Sequence, residues 1–404
     1  MAKNPESIGS LLANLSAKEP RGSLLTNLLA KISLHETAKL IGTDERSLLR
    51  ALRLAKRPDG YKRKYIPKKR GGFRPVDAPH DDLKWVQRCL HRNFLRRRHH
   101  PSSICHSFVG KCYDPQAEFG EKWRAGRSIV SGAYEHICPG EWRHPRSLFS
   151  VDMKDAFPSV TEKRVSAIYK ELSGNELVAK VLTNLSVLNN SLPQGAPTSP
   201  TLFNLACREL DANLAEEFGL DGRFVITRYA DDVTITSVER EIKTADRERL
   251  VKVVEGHGFK VNREKDCYWQ DWRHVLRVTG INLDPEKRRL FLPRSELDRL
   301  RLLAFHSLRV LENESAAWLE SKSRFDVPDF LRSLDKRATM AFGRLGGIVG
   351  FCSMVYDEQE WPSRLFGWHP ALAEWSKDDF HTLLQIIKEG ELANPDSDLF
   401  DFSP

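Results

Sequence analysis

Two adjacent carboxylates, Asp231 and Asp232, sit in the run Tyr229-Ala230-Asp231-Asp232 between two strand-like stretches, Phe224-Val225-Ile226-Thr227 and Val233-Thr234-Ile235-Thr236. Apolar, β-branched runs on either side of so short a link read as an antiparallel hairpin with the pair at its turn. Held about 4 Å apart at an effective dielectric near 20, two such charges repel by roughly 4 kcal/mol. A fold that keeps them together supplies a cation, and a divalent metal is the natural one. An Asp-Asp pair is also common turn chemistry, so the surrounding segments decide between the two.

Upstream, Ser147-Leu148-Phe149-Ser150-Val151-Asp152-Met153-Lys154-Asp155-Ala156-Phe157 reads as a buried strand that delivers Asp152 at its end and then turns. Between the two carboxylate sites lies Leu192-Pro193-Gln194-Gly195-Ala196-Pro197-Thr198-Ser199-Pro200, a loop opening onto an amphipathic helix expected over residues 201–218. That order has a mechanical meaning. Two-metal phosphoryl transfer needs carboxylates converging from separate strands, so that ions about 4 Å apart clamp the attacking and leaving oxygens. Asp152 and Asp231 are the expected bridging ligands, and Asp232 completes the cluster.

These three segments resemble motifs A, B and C of the reverse transcriptase palm, and the chain is most similar to the bacterial retron-type branch from about Tyr61 to about Tyr356. The resemblance implies an α+β right-hand polymerase: fingers, a palm of antiparallel sheet plus helices, and a helical thumb, preceded by a helical N-terminal extension. The expected boundaries are 1–60 for the extension, 61–292 for interleaved fingers and palm, 293–370 for the thumb and 371–404 for a C-terminal tail. It also implies an RNA-directed DNA polymerase using deoxynucleoside triphosphates and two Mg²⁺ ions, for which Mn²⁺ can substitute.

The same resemblance assigns roles residue by residue. Ile66-Pro67-Lys68-Lys69-Arg70-Gly71-Gly72-Phe73-Arg74-Pro75-Val76 resembles the fingers hairpin, with Lys68 and Arg74 toward the triphosphate and Lys69 and Arg70 toward nucleic acid. Asp155 and Ala156 fall in the nucleotide-binding part of motif A, and Phe157 stands where the family places an aromatic steric gate against a ribose 2′-OH. Gln194 and Gly195 match the motif B pair that meets the incoming nucleotide. Gly258-Phe259-Lys260-Val261-Asn262-Arg263-Glu264-Lys265 resembles motif D, whose lysine, here Lys265, serves as general acid toward pyrophosphate. Val278-Thr279-Gly280 resembles the primer grip, and Ala341 to Phe351, with Arg344, resembles a thumb helix lying on the nucleic acid.

Two departures stand out. The retron Asn-Ala-x-x-His box appears as Gly132-Ala133-Tyr134-Glu135-His136, with glycine for asparagine, and residues 109–125 read as an insertion. The readings that follow are a retron enzyme copying a dedicated structured noncoding RNA in antiphage defence, a defence-associated reverse transcriptase outside the retrons, or a group II intron-derived one. A separate effector protein is the expected further partner of such an enzyme. A catalytically idle RNA-binding scaffold is disfavoured, because an idle site has no need of a mutually repelling acid cluster.

Net charge fits a polyanion partner: it is +8, with cations concentrated at Lys62, Arg63, Lys64, Lys68, Lys69, Arg70, Arg74, Lys84, Arg88, Arg92, Arg96, Arg97 and Arg98. No apolar run reaches the roughly 18 residues of a membrane span, and the first residues lack a secretory apolar core. Seven scattered cysteines fit reduced thiols, so a cytoplasmic location is expected. Cys105, His106, Cys112, His136 and Cys138 cluster loosely, at a spacing matching no common zinc finger. Leucine stripes at Ser10-Leu11-Leu12, Leu24 to Leu29 and Glu45 to Leu52 predict helices, closed by the turn Arg57-Pro58-Asp59-Gly60. Helix is expected again from Pro293, and a short helix near Trp375 and Phe380.

Overall fold

In the computed structural model the described residues are 24–67, 71–110, 112–113, 123–124, 126–137, 144–220, 222–239, 241–271 and 274–314, with a few helical residues between 344 and 364. The leucine stripes form α1 (Leu24–Ile41) and α2 (Glu45–Ala55). Asp44 caps α2 by accepting from the Ser47 amide at 2.9 Å, and Leu34, Ile41, Leu48 and Leu52 are buried. The Ser10-Leu11-Leu12 stripe and the tail around Trp375 lie outside the described residues.

β1 (Tyr61–Pro67) and β2 (Phe73–Pro79) pair antiparallel, from Tyr61 opposite Pro79 to Pro67 opposite Phe73. At the turn Gly71 and Gly72 both take left-handed backbone, φ 89° and 76°, which glycine adopts without steric cost. The ribbon is followed by α3 (Asp81–Leu90) and, after the region expected to hold an insertion, by α4 (Ile129–Glu135). Within that region Cys112–Tyr113 pairs with Trp123–Arg124.

The central sheet is built on β3 (Ser147–Lys154), whose Leu148, Phe149, Val151 and Met153 are all buried. A strand apolar on both faces belongs in the middle of a covered sheet. α5 (Glu162–Ser173), α6 (Glu176–Ser186), α7 (Ser199–Ala206) and α8 (Arg208–Leu214) follow, contributing Val165, Tyr169, Leu182, Leu202, Phe203 and Leu210 to one core with the sheet. β4 (Phe224–Tyr229) and β5 (Asp232–Ser237) form the hairpin, α9 (Thr244–Gly256) crosses back, and β6 (Lys260–Val261) and β7 (Cys267–Gln270) complete the sheet. The strand order is β4-β5-β3-β6, with β7 also pairing to β3.

The helix expected over 201–218 starts earlier and is interrupted. Pro200 sits in its first turn, and at Cys207 the amide reaches both Phe203 and Asn204 carbonyls, at 3.0 and 3.1 Å. That shared bond tightens the ladder locally, so α7 and α8 are separate segments.

The chain groups into two bodies, residues 1–136 with 145–274, and residues 137–144 with 275–404. In the second, β8 (Arg277–Val278), β9 (Ile281–Asp284) and β10 (Arg289–Phe291) form an antiparallel sheet, followed by α10 (Arg294–Glu314). Thr279 and Gly280 link β8 to β9 as a two-residue turn, both with positive φ, 46° and 89°. Antiparallel sheets with separate helices make the class α+β, as expected. Among the described residues no helix is long and apolar enough to cross a membrane.

Candidate active site

β3 and β5 pair so that Asp152 lies directly opposite Asp232. Directly opposed residues of an antiparallel pair project to the same face with Cβ atoms ~5 Å apart. Tyr229 is opposite Asp232 across the hairpin, leaving Ala230 and Asp231 as the turn. Ala230 carries the left-handed conformation, φ 53°, that a glycine would hold more easily. The Asp231 carbonyl accepts from the Met153 amide at 2.9 Å, which fastens the turn to the end of β3.

Lys265 arrives from the other side. β6 pairs with β3 at Met153 opposite Val261, the Asn262 amide donates to the Asp152 carbonyl at 2.8 Å, and a helical turn over Arg263–Lys265 follows. Lys265 Nζ thereby meets Asp152 Oδ1 at 2.6 Å. Burial and then the neighbouring Asp152 charge push the Asp231 carboxyl above its usual range, against the opposing pull of Arg74 and Lys265. These two acids and two cations therefore share one electrostatic field. Among the described residues no three acid, histidine or cysteine side chains stand at metal-ligating separation. The donor set still fits a hard divalent cation in kind: carboxylate oxygens from three positions, one of which already holds a positive charge, the ammonium of Lys265.

The ribbon meets the Gln194-Gly195 loop at its root. The Asp77 amide donates to the Gln194 carbonyl at 2.7 Å. A Cβ on Gly195 would lie 2.7 Å from Val76 Cγ1 and 3.0 Å from the Asp77 carbonyl oxygen, and Gly195 has φ +124°. The resemblance gives this glycine to the nucleotide; its neighbour within the chain is the strand β2. Arg74 is exposed, opposite Ile66, while Lys68, Lys69 and Arg70 lie outside the described residues. Asp155 turns the chain after β3 in left-handed conformation, φ 48°, and Ala156 begins one helical turn. Phe157 is half-buried, its ring 5.1 Å from Phe203 and 6.3 Å from Phe108. Gly280 and the exposed Arg344 belong to the second body.

Two residues escaped the sequence reading. Arg228, inside β4, is fully buried and bonded to the turn itself. A charged residue in a strand reads as solvent-facing, so its pattern hid it. His136 was legible only as part of a family box and of a loose Cys/His cluster, and neither names its partners. It is wholly buried and bridges the two strands of the hairpin, Nδ1 2.7 Å from Thr236 Oγ1 and Nε2 2.9 Å from Thr227 Oγ1. A hypothetical Cβ on Gly132 would lie 3.3 Å from His106 Cβ and Cγ, so His106 crowds the place where the box has asparagine.

Burial, helped by His106, pushes His136 down from 6.5 to about 3. Between these values an unfolded chain takes up a proton that the folded one refuses, so stability is complete above the window and is lost as pH falls through it. At about pH 5 the loss from this ring is about 2 kcal/mol. Thermal melts at about pH 7.5 and about pH 5 should therefore differ less for His136→Gln than for the unaltered protein. Identical acid sensitivity in both would discard the buried, neutral His136 ring as a source of the acid loss.

A profile described as reverse transcriptase (RNA-dependent DNA polymerase) matches residues 66–283. The chain is 30% identical over 221 residues to the Retron Ec86 reverse transcriptase of Escherichia coli, covering 55% of this chain and 61% of that protein. It is 32% identical over 265 residues to the Retron Mx65 reverse transcriptase of Myxococcus xanthus, covering 60% of this chain and 55% of that one. The matched stretch thus spans less than two thirds of either relative. A solved telomerase from Candida tropicalis, in complex with a fragment of telomeric RNA, aligns over 85% of this chain and 62% of its own at TM-score 0.39 and 11% identity, too distant to bear on function. With the profile covering more than half of the 404 residues, from the ribbon through the aspartate hairpin to β9, the chain belongs to the reverse transcriptase family.

Proposed function

We propose that this chain is an RNA-directed DNA polymerase of the retron type, copying a structured noncoding RNA into DNA joined to that RNA, in the service of antiphage defence. The observation that carries the polymerase reading is the register of Asp152 against Asp232, with Asp231 in the turn between paired strands. The retron subtype draws on the similarity to the two retron enzymes. Residues 61–292 would serve as fingers and palm, 293–370 as thumb.

Asp152, Asp231 and Asp232 would hold two Mg²⁺ ions, which when bound supply Lewis-acid stabilisation of the transferring phosphoryl group. Arg74, exposed on the ribbon and close enough to influence Asp231, would take a triphosphate oxygen pair through its planar fork. Gln194, in the loop fastened to that ribbon, would contact the nucleotide as it settles. Phe157 would fill the space of a ribose 2′-OH and so select deoxynucleotides. Lys265, released from Asp152, would donate a proton to the leaving pyrophosphate.

A second reading, a defence-associated enzyme outside the retrons, is favoured by Gly132, whose surroundings leave little room for the asparagine of the retron box. The linkage at the first nucleotide separates the two. Purified protein is supplied with its co-purifying RNA and labelled deoxynucleotides, and the product is digested. Release of free DNA by ribonuclease and not by protease is the expected result for a retron; release by protease alone would replace it with protein-primed synthesis, and no product on any RNA would sink the polymerase reading.

A further inference from the structure

We propose that Arg228 is a positioning residue: its buried guanidinium fixes the Ala230 carbonyl and thereby sets the direction in which Asp231 and Asp232 leave the turn. Arg228 is 0% exposed and heads the largest fully buried side chains of the protein. All five of its N–H donors are used. Nε donates to Asp211 Oδ1 at 2.5 Å and Nη2 to Asp211 Oδ2 at 2.7 Å; Nη2 also donates to Cys105 Sγ at 3.3 Å. Nη1 donates to Asn204 Oδ1 at 3.2 Å and to the Ala230 carbonyl at 3.0 Å.

Neutralising the charge accounts for Asp211 alone. Buried ion pairs are poor sources of stability compared with apolar residues of the same volume, so fold stability does not explain the rest. The informative bond is the one to Ala230. This residue holds a left-handed backbone without being glycine, in a two-residue turn whose other member is a carboxylate. Such a conformation persists only where its surroundings over-determine it. Here the surroundings are the fork below the Ala230 carbonyl and the Met153 amide on the next carbonyl, that of Asp231. Asn204, which shares Nη1 with the Ala230 carbonyl, is on α7, the helix into which the Gln194-Gly195 loop leads; Ser199 Oγ donates to the Pro193 carbonyl at 2.7 Å at that junction. One planar group therefore references the aspartate turn to the element carrying the nucleotide-side loop, which a lysine, with a single nitrogen, cannot reproduce.

The inference rests on the polymerase reading, and its test separates the two. The double variant Arg228→Met with Asp211→Leu removes the ion pair as a unit, so no lone buried charge remains and the protein should melt near the unaltered one. It is expected to lose roughly 10- to 100-fold in kcat with KM for deoxynucleotide within about twofold. Manganese(II) alone, followed by electron paramagnetic resonance without nucleotide, should bind roughly 10-fold more weakly. A folded double variant with the original kcat and manganese affinity overturns the proposal. If the double variant does not fold, Arg228→Lys decides: it keeps the charge against Asp211 but loses the fork, so a reduced kcat per folded molecule supports the role and an unchanged one ends it. An unaltered protein that polymerises nothing would instead sink the polymerase reading, and the manganese comparison would still judge the turn.

Discussion

Asp232→Asn, or Asp231→Asn, is expected to abolish deoxynucleotide incorporation, by roughly 10³-fold or more, while RNA binding is retained. Asp152 and Asp232 face each other across two paired strands, and the Asp231 turn is fastened to the same strand end. An amide in place of either carboxylate keeps the shape and removes a charge, so the loss would be chemical rather than architectural. Stability supplies an independent check. Burial and the Asp152 charge raise the Asp231 carboxyl above its unfolded value, so its ionised form opposes folding at neutral pH. Asp231→Asn should accordingly melt at the same temperature as the unaltered protein or higher, though it no longer extends a primer. Single-nucleotide extension and a melting curve on one preparation test both halves. A double asparagine variant that still polymerised would refute the site.

The second large effect is on the sugar. Phe157→Val is expected to raise ribonucleotide incorporation relative to deoxynucleotide by about 10²-fold in the ratio of kcat/KM values. The ring is not free to swing: Phe203, fully buried, lies 5.1 Å away and Phe108 6.3 Å, and Phe203 is itself backed by Phe259 at 5.9 Å. A side chain braced in that way excludes by fixed shape, and truncating it to valine opens space without disturbing the brace. Running both nucleotide series on one template measures the ratio, and an unchanged value would return Phe157 to the role of core filler.

What the sequence made legible was local. The aspartate hairpin, the buried strand that carries Asp152, the glycine turn at Gly71-Gly72 and the helices α1, α2 and α10 follow from periodicity and turn chemistry acting over a few residues. What it hid was partnership across distance. Arg228 finds Asp211 on a helix, and His136 finds Thr236 and Thr227, far along the chain. Nothing in an alternating strand pattern marks a cation as buried, because the pattern states which face a residue is on and not what waits there. The break at Cys207 was hidden for a related reason: no proline or glycine announces it, only a shared hydrogen bond. Gly195 was legible as half of the motif B pair, but its nearest neighbours in the chain, the Val76 side chain and the Asp77 backbone, became visible only in three dimensions.

Crowding at Gly195 has a mechanical corollary. Strand and loop interlock at Val76 and Asp77 with no room for even a methyl group, and the Asp77 amide bonds across the seam. Pivoting of one against the other would break that bond and close the tight contact, so an opening or closing motion is expected to bend at the outer ends of this joined piece, around Tyr61 and Pro79 on one side and Leu192 on the other. On the proposed function, the hold on a triphosphate and the contact with the nucleotide would then advance together, as two fingers of one rigid hand.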